Sequence, residues 1–282
     1  MKFGLIPVNI GTTPDQMIGI ARHAESAGIE SVWTFEHVIV PLDYQSKYPY
    51  NASGRMAADP ETSFLDPLVA LSAVAANTSK IRLGTGVNIL SQVNPLLMAK
   101  QVASLDVISN GRFMLGVGIG WLREEFEAMG TPFERRGARF DDYVTAMRKV
   151  WAGDVVEHES DFVHWHGFKS YPLPVQNPLP VIIGGIKGKI HERIAKYGNG
   201  WYAPTTDPVE LKSHLAKIRA ECDKIGRDPD EIEITCMWNG QGGADSIAGW
   251  ENAGCHRLVV VATLLGADPL AGIDKLAVEY IG

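Results

Sequence analysis

The sequence predicts an α/β fold, a single (β/α)₈ barrel, and three observations carry that expectation. Short apolar segments recur at residues 2–8, 31–35, 81–87, 113–118, 180–184, 200–203, 231–238 and 257–262. They lack the polar alternation of strands with one wet face, as parallel strands covered on both sides do. Helical patterns separate them, and eight strands alternating with eight or so helices is the order of a closed barrel, a doubly wound sheet being the alternative. At 282 residues the chain can bury a large core without disulfides, and no repeat, low-complexity tract or linker divides it. Residues 1–282 are therefore read as one domain.

The helix starts are legible. Thr13-Pro14, Asp66-Pro67, Asn94-Pro95, Asp207-Pro208 and Asp268-Pro269 each place a capping side chain before a proline. The cap accepts a bond from a free backbone N–H, and proline at the first helical position gives up an N–H that has no partner. Gln16 and Glu210, three residues after their caps, predict two capping boxes, and Gly28 and Gly111 fall where helices stop. Two stretches exceed ordinary loop length. Residues 36–63 follow strand 2 and predict a lid over the barrel mouth. Residues 152–179 precede strand 5, contain a strand-like segment at 162–166 and predict an inserted hairpin.

Composition removes several classes of function. Thirty-three acidic and 26 basic side chains give a net charge of −7, with no basic footprint for nucleic acid and no Lys/Arg run for a membrane surface. Cys222, Cys236 and Cys255 lie far apart, without C-x-x-C spacing, and read as reduced buried thiols of a cytoplasmic protein. The opening apolar run reads as a first strand, not a signal peptide, and no apolar stretch is long enough to span a bilayer.

In this fold the active site forms past the C-terminal ends of the strands. Here those ends are Glu36-His37, Thr85-Gly86-Val87-Asn88, Gly116-Val117-Gly118-Ile119-Gly120-Trp121, Gly184-Gly185, Ala203-Pro204-Thr205 and Trp238-Asn239. They are rich in glycine and poor in ionisable groups, unlike the mouth of a hydrolase or metal enzyme. The glycines suit a flat, largely apolar ligand lying against the backbone, or serve tight turns alone. Trp121 stands where a G-x-G-x-x-G fingerprint needs its last glycine, so a nicotinamide site is weakly supported. Gly184-Gly185-Ile186-Lys187-Gly188-Lys189 leads into a helix and reads as a phosphate site or as an exposed turn. His37, the histidine at a strand end facing the mouth, is either structural or the proton-transfer group. His164 and His166, with Glu157 and Glu159 nearby, lack a convincing third ligand for a metal.

In order along the chain, these residues resemble the bacterial luciferase-like oxidoreductase family. The strongest stretch is residues 111–121, from Gly111-Arg112-Phe113 to Gly120-Trp121, continuing through Glu124-Glu125-Phe126 and Phe133-Glu134-Arg135-Arg136-Gly137. Residues 33–41 with Glu36-His37, Leu83-Gly84-Thr85-Gly86-Val87, Ile183-Gly184-Gly185 and Gly198-Asn199-Gly200-Trp201 complete it, and the match weakens beyond Thr205. The resemblance implies a barrel holding coenzyme F420 or FMN, and the F420-dependent branch is the more similar. It implies a non-proline cis peptide at Gly86-Val87, a cofactor phosphate at Gly184 and Gly185, and His37 at the reacting edge of the ring.

The expected cofactor-lining residues are then Glu36, Thr85, Gly86, Val87, Gly118, Gly120, Gly184, Gly185, Lys187 and Gly188. Lys187, Lys189 and Arg193 favour the acidic tail of F420 over FMN. The small-molecule substrate is expected beneath the lid, among Trp121, Tyr44, Tyr48 and Trp238. An F420-dependent hydride transfer, an FMN-dependent monooxygenase and a non-catalytic flavin-binding protein all remain open, and the family's habit implies a homodimer. The chain departs from the pattern at Trp121, where sugar-phosphate dehydrogenases of the branch carry an acid, which removes that substrate. It departs again at Asn199, in place of an aspartate, which predicts a weakened hydrogen bond.

Overall fold

The computed structural model describes residues 1–281. The strands are β1 (Lys2–Ile6), β2 (Ser31–Thr34), β3 (Arg82–Thr85), β4 (Asn88–Ile89), β5 (Phe113–Gly118), β6 (Val156–Glu159), β7 (His164–Phe168), β8 (Val181–Gly184), β9 (Gly200–Ala203), β10 (Glu233–Trp238) and β11 (Arg257–Val261). The helices are α1 (Pro14–Ser26), α2 (Pro67–Asn77), α3 (Pro95–Ile108), α4 (Arg123–Ala128), α5 (Arg136–Trp151), α6 (Ile190–Tyr197), α7 (Pro208–Ile225), α8 (Gly243–Asn252) and α9 (Pro269–Tyr280). Parallel pairing runs β3-β2-β1-β11-β10-β9-β8-β5, and β5 pairs back onto β3 through Leu83 and Phe113, which closes the eight-stranded barrel. β6 and β7 form a separate antiparallel hairpin before β8.

All five expected caps are in place. Thr13, Asp66, Asn94, Asp207 and Asp268 each accept a bond from the first turn of their helix, each worth about 1 kcal/mol. Gln16 completes the capping box at Thr13. The second expected box does not form, because Glu210 is drawn back to the hydroxyl of Thr205 instead. Gly28 and Gly111 both take positive φ just past their helices.

Two further expectations are corrected. The third strand stops at Thr85, short of the expected residue 87; the cis peptide that the resemblance implies at Gly86-Val87 follows it, and pairing resumes only beyond, in β4. In the hairpin the returning strand is His164–Phe168 and not residues 162–166, because Phe162 and Val163 bond to the Ser160 hydroxyl and belong to the turn.

The barrel interior is packed by pairing large residues with absent ones. Trp33 is fully buried, and a Cβ on Gly84 would sit 2.4 Å from its ring, while one on Gly4 would sit 3.0 Å from its indole nitrogen. At the N-terminal end Arg257, with no exposed surface, makes two 2.7 Å bonds to Glu30 and one of 2.8 Å to Glu233. Removing one partner of such a buried pair is costly.

Asn199 does not lose its bond. Its amide oxygen accepts from Val181 N–H at 3.1 Å, the one geometry that an aspartate and an asparagine share. The three cysteines are free and buried. Among the described residues no helix is long and apolar enough to cross a membrane. On the surface, Gly19 lies inside α1 with nothing within 4 Å of a Cβ placed there. Gly19→Ala is therefore expected to stabilise by about 0.5–1 kcal/mol through backbone entropy, read as a higher urea midpoint with an unchanged slope.

Candidate functional site at the barrel mouth

The floor of the mouth is apolar. Ile6, Phe35, Val87, Tyr202, Met237 and Val261 cluster there above Trp33. Val87 projects inward as a knuckle, whose methyl groups would lie 2.7 Å from a Cβ on Gly184, 2.9 Å from one on Gly118 and 3.3 Å from one on Gly116. These glycines thus make room for Val87, and Val87 presents the surface. Gly120 has the same character, since Phe126 and Ile89 fill its Cβ direction at 2.6 and 2.7 Å. Gly86 faces the ring of Tyr202 and the Ile6 side chain. Gly185 and Gly188, in contrast, have ordinary contacts or open space on that side.

A cavity of about 230 Å³ runs from this knuckle to the start of α6, lined among others by Val87, Gly118, Trp121, Gly185, Ile186 and Lys187. α6 begins after Lys189 with no side-chain cap, which leaves its first N–H groups without a capping acceptor. Among the described residues Lys187 has no ion-pair partner. The other two expected cations are committed: Lys189 lies 3.6 Å from Glu192, and Arg193 binds Asp141 at 2.6 and 3.2 Å. The hydroxyl of Tyr202, almost fully buried at the floor, has no hydrogen-bond partner among the described residues. An apolar knuckle, an orphan hydroxyl and an uncapped helix start beside a free lysine fit a flat ring carrying a phosphate tail.

The lid closes the other wall. Trp121 meets the rings of Tyr44 and Tyr48 edge-on, with centroids 5.8 and 5.1 Å apart, and meets His37 at 6.0 Å. Phe64 lies across His37 at 6.0 Å. Trp238 is not part of this group. Its side chain points outward from β10 onto Phe3 and Tyr280, because alternate residues of a barrel strand face the helices.

Two acids shape the wall behind His37. Glu36 accepts from Asn88 Nδ2, at 2.7 Å, and from the N–H of Ile89, so its carboxyl clamps β4 and faces protein. Thr85 likewise spends its hydroxyl on the N–H and carbonyl of Gly116, at 2.9 and 2.7 Å. Glu125, which sequence reasoning left without a role, binds His37 Nδ1 at 3.2 Å and the N–H of Val38 at 2.6 Å. Its 88-residue separation from His37 explains why no local pattern reveals the pair. His164 and His166 both lean on Glu159 at the surface, and the described residues hold no group of three or more His, Cys, Asp or Glu that could bind a metal.

Burial pushes the Glu36 carboxyl up to about 7 from its ordinary 4.5, against the opposing bonds from Ile89 and Asn88 and with help from Glu125 and Asp66. A raised folded-state value means that the folded chain holds a proton the unfolded chain releases. Stability from this group is then full below about pH 4.5 and is lost as pH rises to about 7, by at most about 3 kcal/mol. Glu36→Gln is expected to flatten that part of the stability profile, measured by urea unfolding at pH 5 and pH 8. Equal slopes in both proteins would exclude a buried protonated Glu36.

The profile of the family described as luciferase-like monooxygenase matches residues 3–264. The chain belongs to this family. The match runs through the last barrel strand, well past Thr205. A Mycobacterium tuberculosis protein described as uncharacterized is 30% identical to this luciferase-like chain over 285 residues, covering 99% of it and 98% of the relative. The F420-dependent hydroxymycolic acid dehydrogenase of the same organism is 28% identical over 221 residues, covering 77% of the chain and 56% of that protein. Among solved structures, the coenzyme F420 dependent tetrahydromethanopterin reductase from Methanopyrus kandleri superposes with a TM-score of 0.80 at 19% identity, over 99% of this chain and 98% of its own. The barrel is thus that of a luciferase-like oxidoreductase.

Proposed function

We propose that this luciferase-like enzyme uses coenzyme F420 to move a hydride to or from a small uncharged organic substrate. The observation that carries the reading is the cavity joining the Val87 knuckle to the uncapped start of α6, with Lys187 beside it. The similarity to an F420-dependent dehydrogenase supports the choice of cofactor. When bound, the deazaflavin would accept or give the hydride. Val87 would support its ring, Gly185 and the first N–H groups of α6 would hold its phosphate, and Lys187 would attract the acidic tail. Trp121, Tyr44 and Tyr48 offer the substrate aromatic surface and keep water from the reacting carbon. His37, in contact with Trp121, would hold or release the proton that balances the hydride.

The test is a fluorescence titration of the purified protein with F420 and FMN side by side. F420 is expected to bind at least tenfold more tightly, and Lys187→Glu to lose about tenfold of that affinity, or about 1.4 kcal/mol. Binding of F420 no better than by an unrelated barrel would end the proposal. The family's description as a monooxygenase supports a second reading, FMN-dependent oxygenation. Tighter binding of FMN, with oxygen consumed by the reduced complex and a sulfonate or aldehyde, would establish that reading instead.

A further inference from the structure

We infer that Glu125 is a positioning residue that holds the His37 imidazole in a single tautomer, with the proton on Nδ1 and the Nε2 lone pair free toward the mouth. The inference rests on the reading of His37 as the proton-transfer group for its functional meaning, and on hydrogen-bond geometry for its substance.

Glu125 sits in the first turn of α4, immediately past the glycine-rich end of β5, with 1% of its surface exposed. One oxygen, Oε1, accepts from the N–H of Val38 at 2.6 Å and of Ile39 at 3.3 Å. The other, Oε2, lies 3.2 Å from His37 Nδ1. A carboxylate only accepts, so the ring nitrogen facing it must be the donor. In the neutral ring the other nitrogen, Nε2, then carries the lone pair.

The remaining neighbours leave this pairing alone. Glu36, next in the chain, is occupied by Asn88 and Ile89. Asp66 caps α2 through Leu68 and Val69. Glu124 turns to the N–H groups of Gln45 and Ser46 in the lid, and Arg123 pairs with Glu134. Phe64 and Trp121 meet the ring edge-on and carry no charge. Glu125 is therefore the acid in ion-pair range of His37 among the described residues.

The arrangement has a chemical consequence. A bound deazaflavin would take up the hydride if a substrate hydroxyl were oxidised to a carbonyl, and Nε2 would then accept the O–H proton. The imidazolium formed keeps its Nδ1–H on Glu125, whose charge favours the cation. In the reverse direction Nε2 would return that proton to the carbonyl oxygen. Glu125 touches neither reactant and acts through the orientation and basicity of the ring.

The experiment is ¹⁵N NMR of histidine-labelled full-length protein without cofactor, with His37 assigned through a His37→Asn control. The wild-type neutral ring is expected as the Nδ1–H form, opposite to the Nε2–H form that free imidazole side chains prefer in water. Glu125→Gln, which keeps the shape of the side chain but replaces the carboxylate with an amide that can also donate, is expected to let the Nε2–H form appear. An Nε2–H ring in the wild type overturns the inference with no variant needed, even if the variant fails to fold. An unmoved tautomer in folded Glu125→Gln overturns it as well and leaves Glu125 as an anchor for residues 38–39. Neither readout depends on turnover, so failure of the F420 reading and failure of this one are separate results.

Discussion

His37→Ala is expected to lower turnover about 100-fold or more while cofactor affinity changes less than threefold. Positioned general acids and bases contribute on the order of 10²–10⁴ in rate. His37 is the imidazole at the mouth, with 12% of its side chain exposed, and its ring touches Trp121, Phe64 and Glu125. It does not line the cavity between Val87 and α6, so removing it leaves the surfaces proposed for the ring and the phosphate in place. Stopped-flow reduction of bound cofactor, compared with equilibrium titration of the same variant, separates the two effects. Full turnover in the variant would remove His37 from the mechanism. Cofactor binding without turnover in the wild type would mark a non-catalytic flavin-binding protein. Loss of cofactor affinity in the variant would place the imidazole under the ring and not beside the substrate.

Gly116→Ala is expected to cost the fold at least about 3 kcal/mol, or to yield no soluble protein. An added Cβ there would sit 1.7 Å from the carbonyl oxygen of Thr85, where β5 returns to β3 to close the barrel. Backbone cannot rotate away as a side chain can, and overpacking of buried sites already costs about 1–3 kcal/mol when side chains yield. The same position ties Thr85 to Gly116 through two hydrogen bonds, which the required shift would break. For a chain of this size the loss corresponds to roughly 5 °C or more in Tm. Gly118→Ala is the internal comparison, because its Cβ would meet a methyl of Val87 at 2.9 Å and a rotamer change can relieve the contact. Equal melting temperatures for Gly116→Ala and the wild type would mean that β3 and β5 do not approach as described.

The two outcomes together explain the glycine-rich strand ends. From the sequence they suit a ligand lying on bare backbone or tight turns. In the fold most of their missing side chains are replaced by protein: Val87 over Gly118 and Gly184, Phe126 and Ile89 over Gly120, Thr85 over Gly116. Gly185 and Gly188 alone of the expected cofactor glycines keep open or ordinary surroundings. The distinction was out of reach before the fold, because it depends on Val87 packing against glycines of two other strands, β5 and β8.

Local signals therefore carried the architecture. The Asx/Thr-Pro pairs mark helix starts because capping and proline act within one turn, and apolar runs mark strands because both faces of a parallel barrel strand are dry. These interactions join residues close in sequence, so the eight strands, the five caps, the inserted hairpin and His37 at the end of β2 were all determined by the sequence alone. The tertiary structure alone decided which groups meet across the barrel. Trp238 faces α9 and not the mouth, Arg193 is spent on Asp141, Glu210 leaves its expected cap, and Glu125 reaches His37 from the far side of β5. Side-chain partners between separate elements follow from strand register and closure, and a hydrogen bond across 88 residues leaves no periodic trace in the chain.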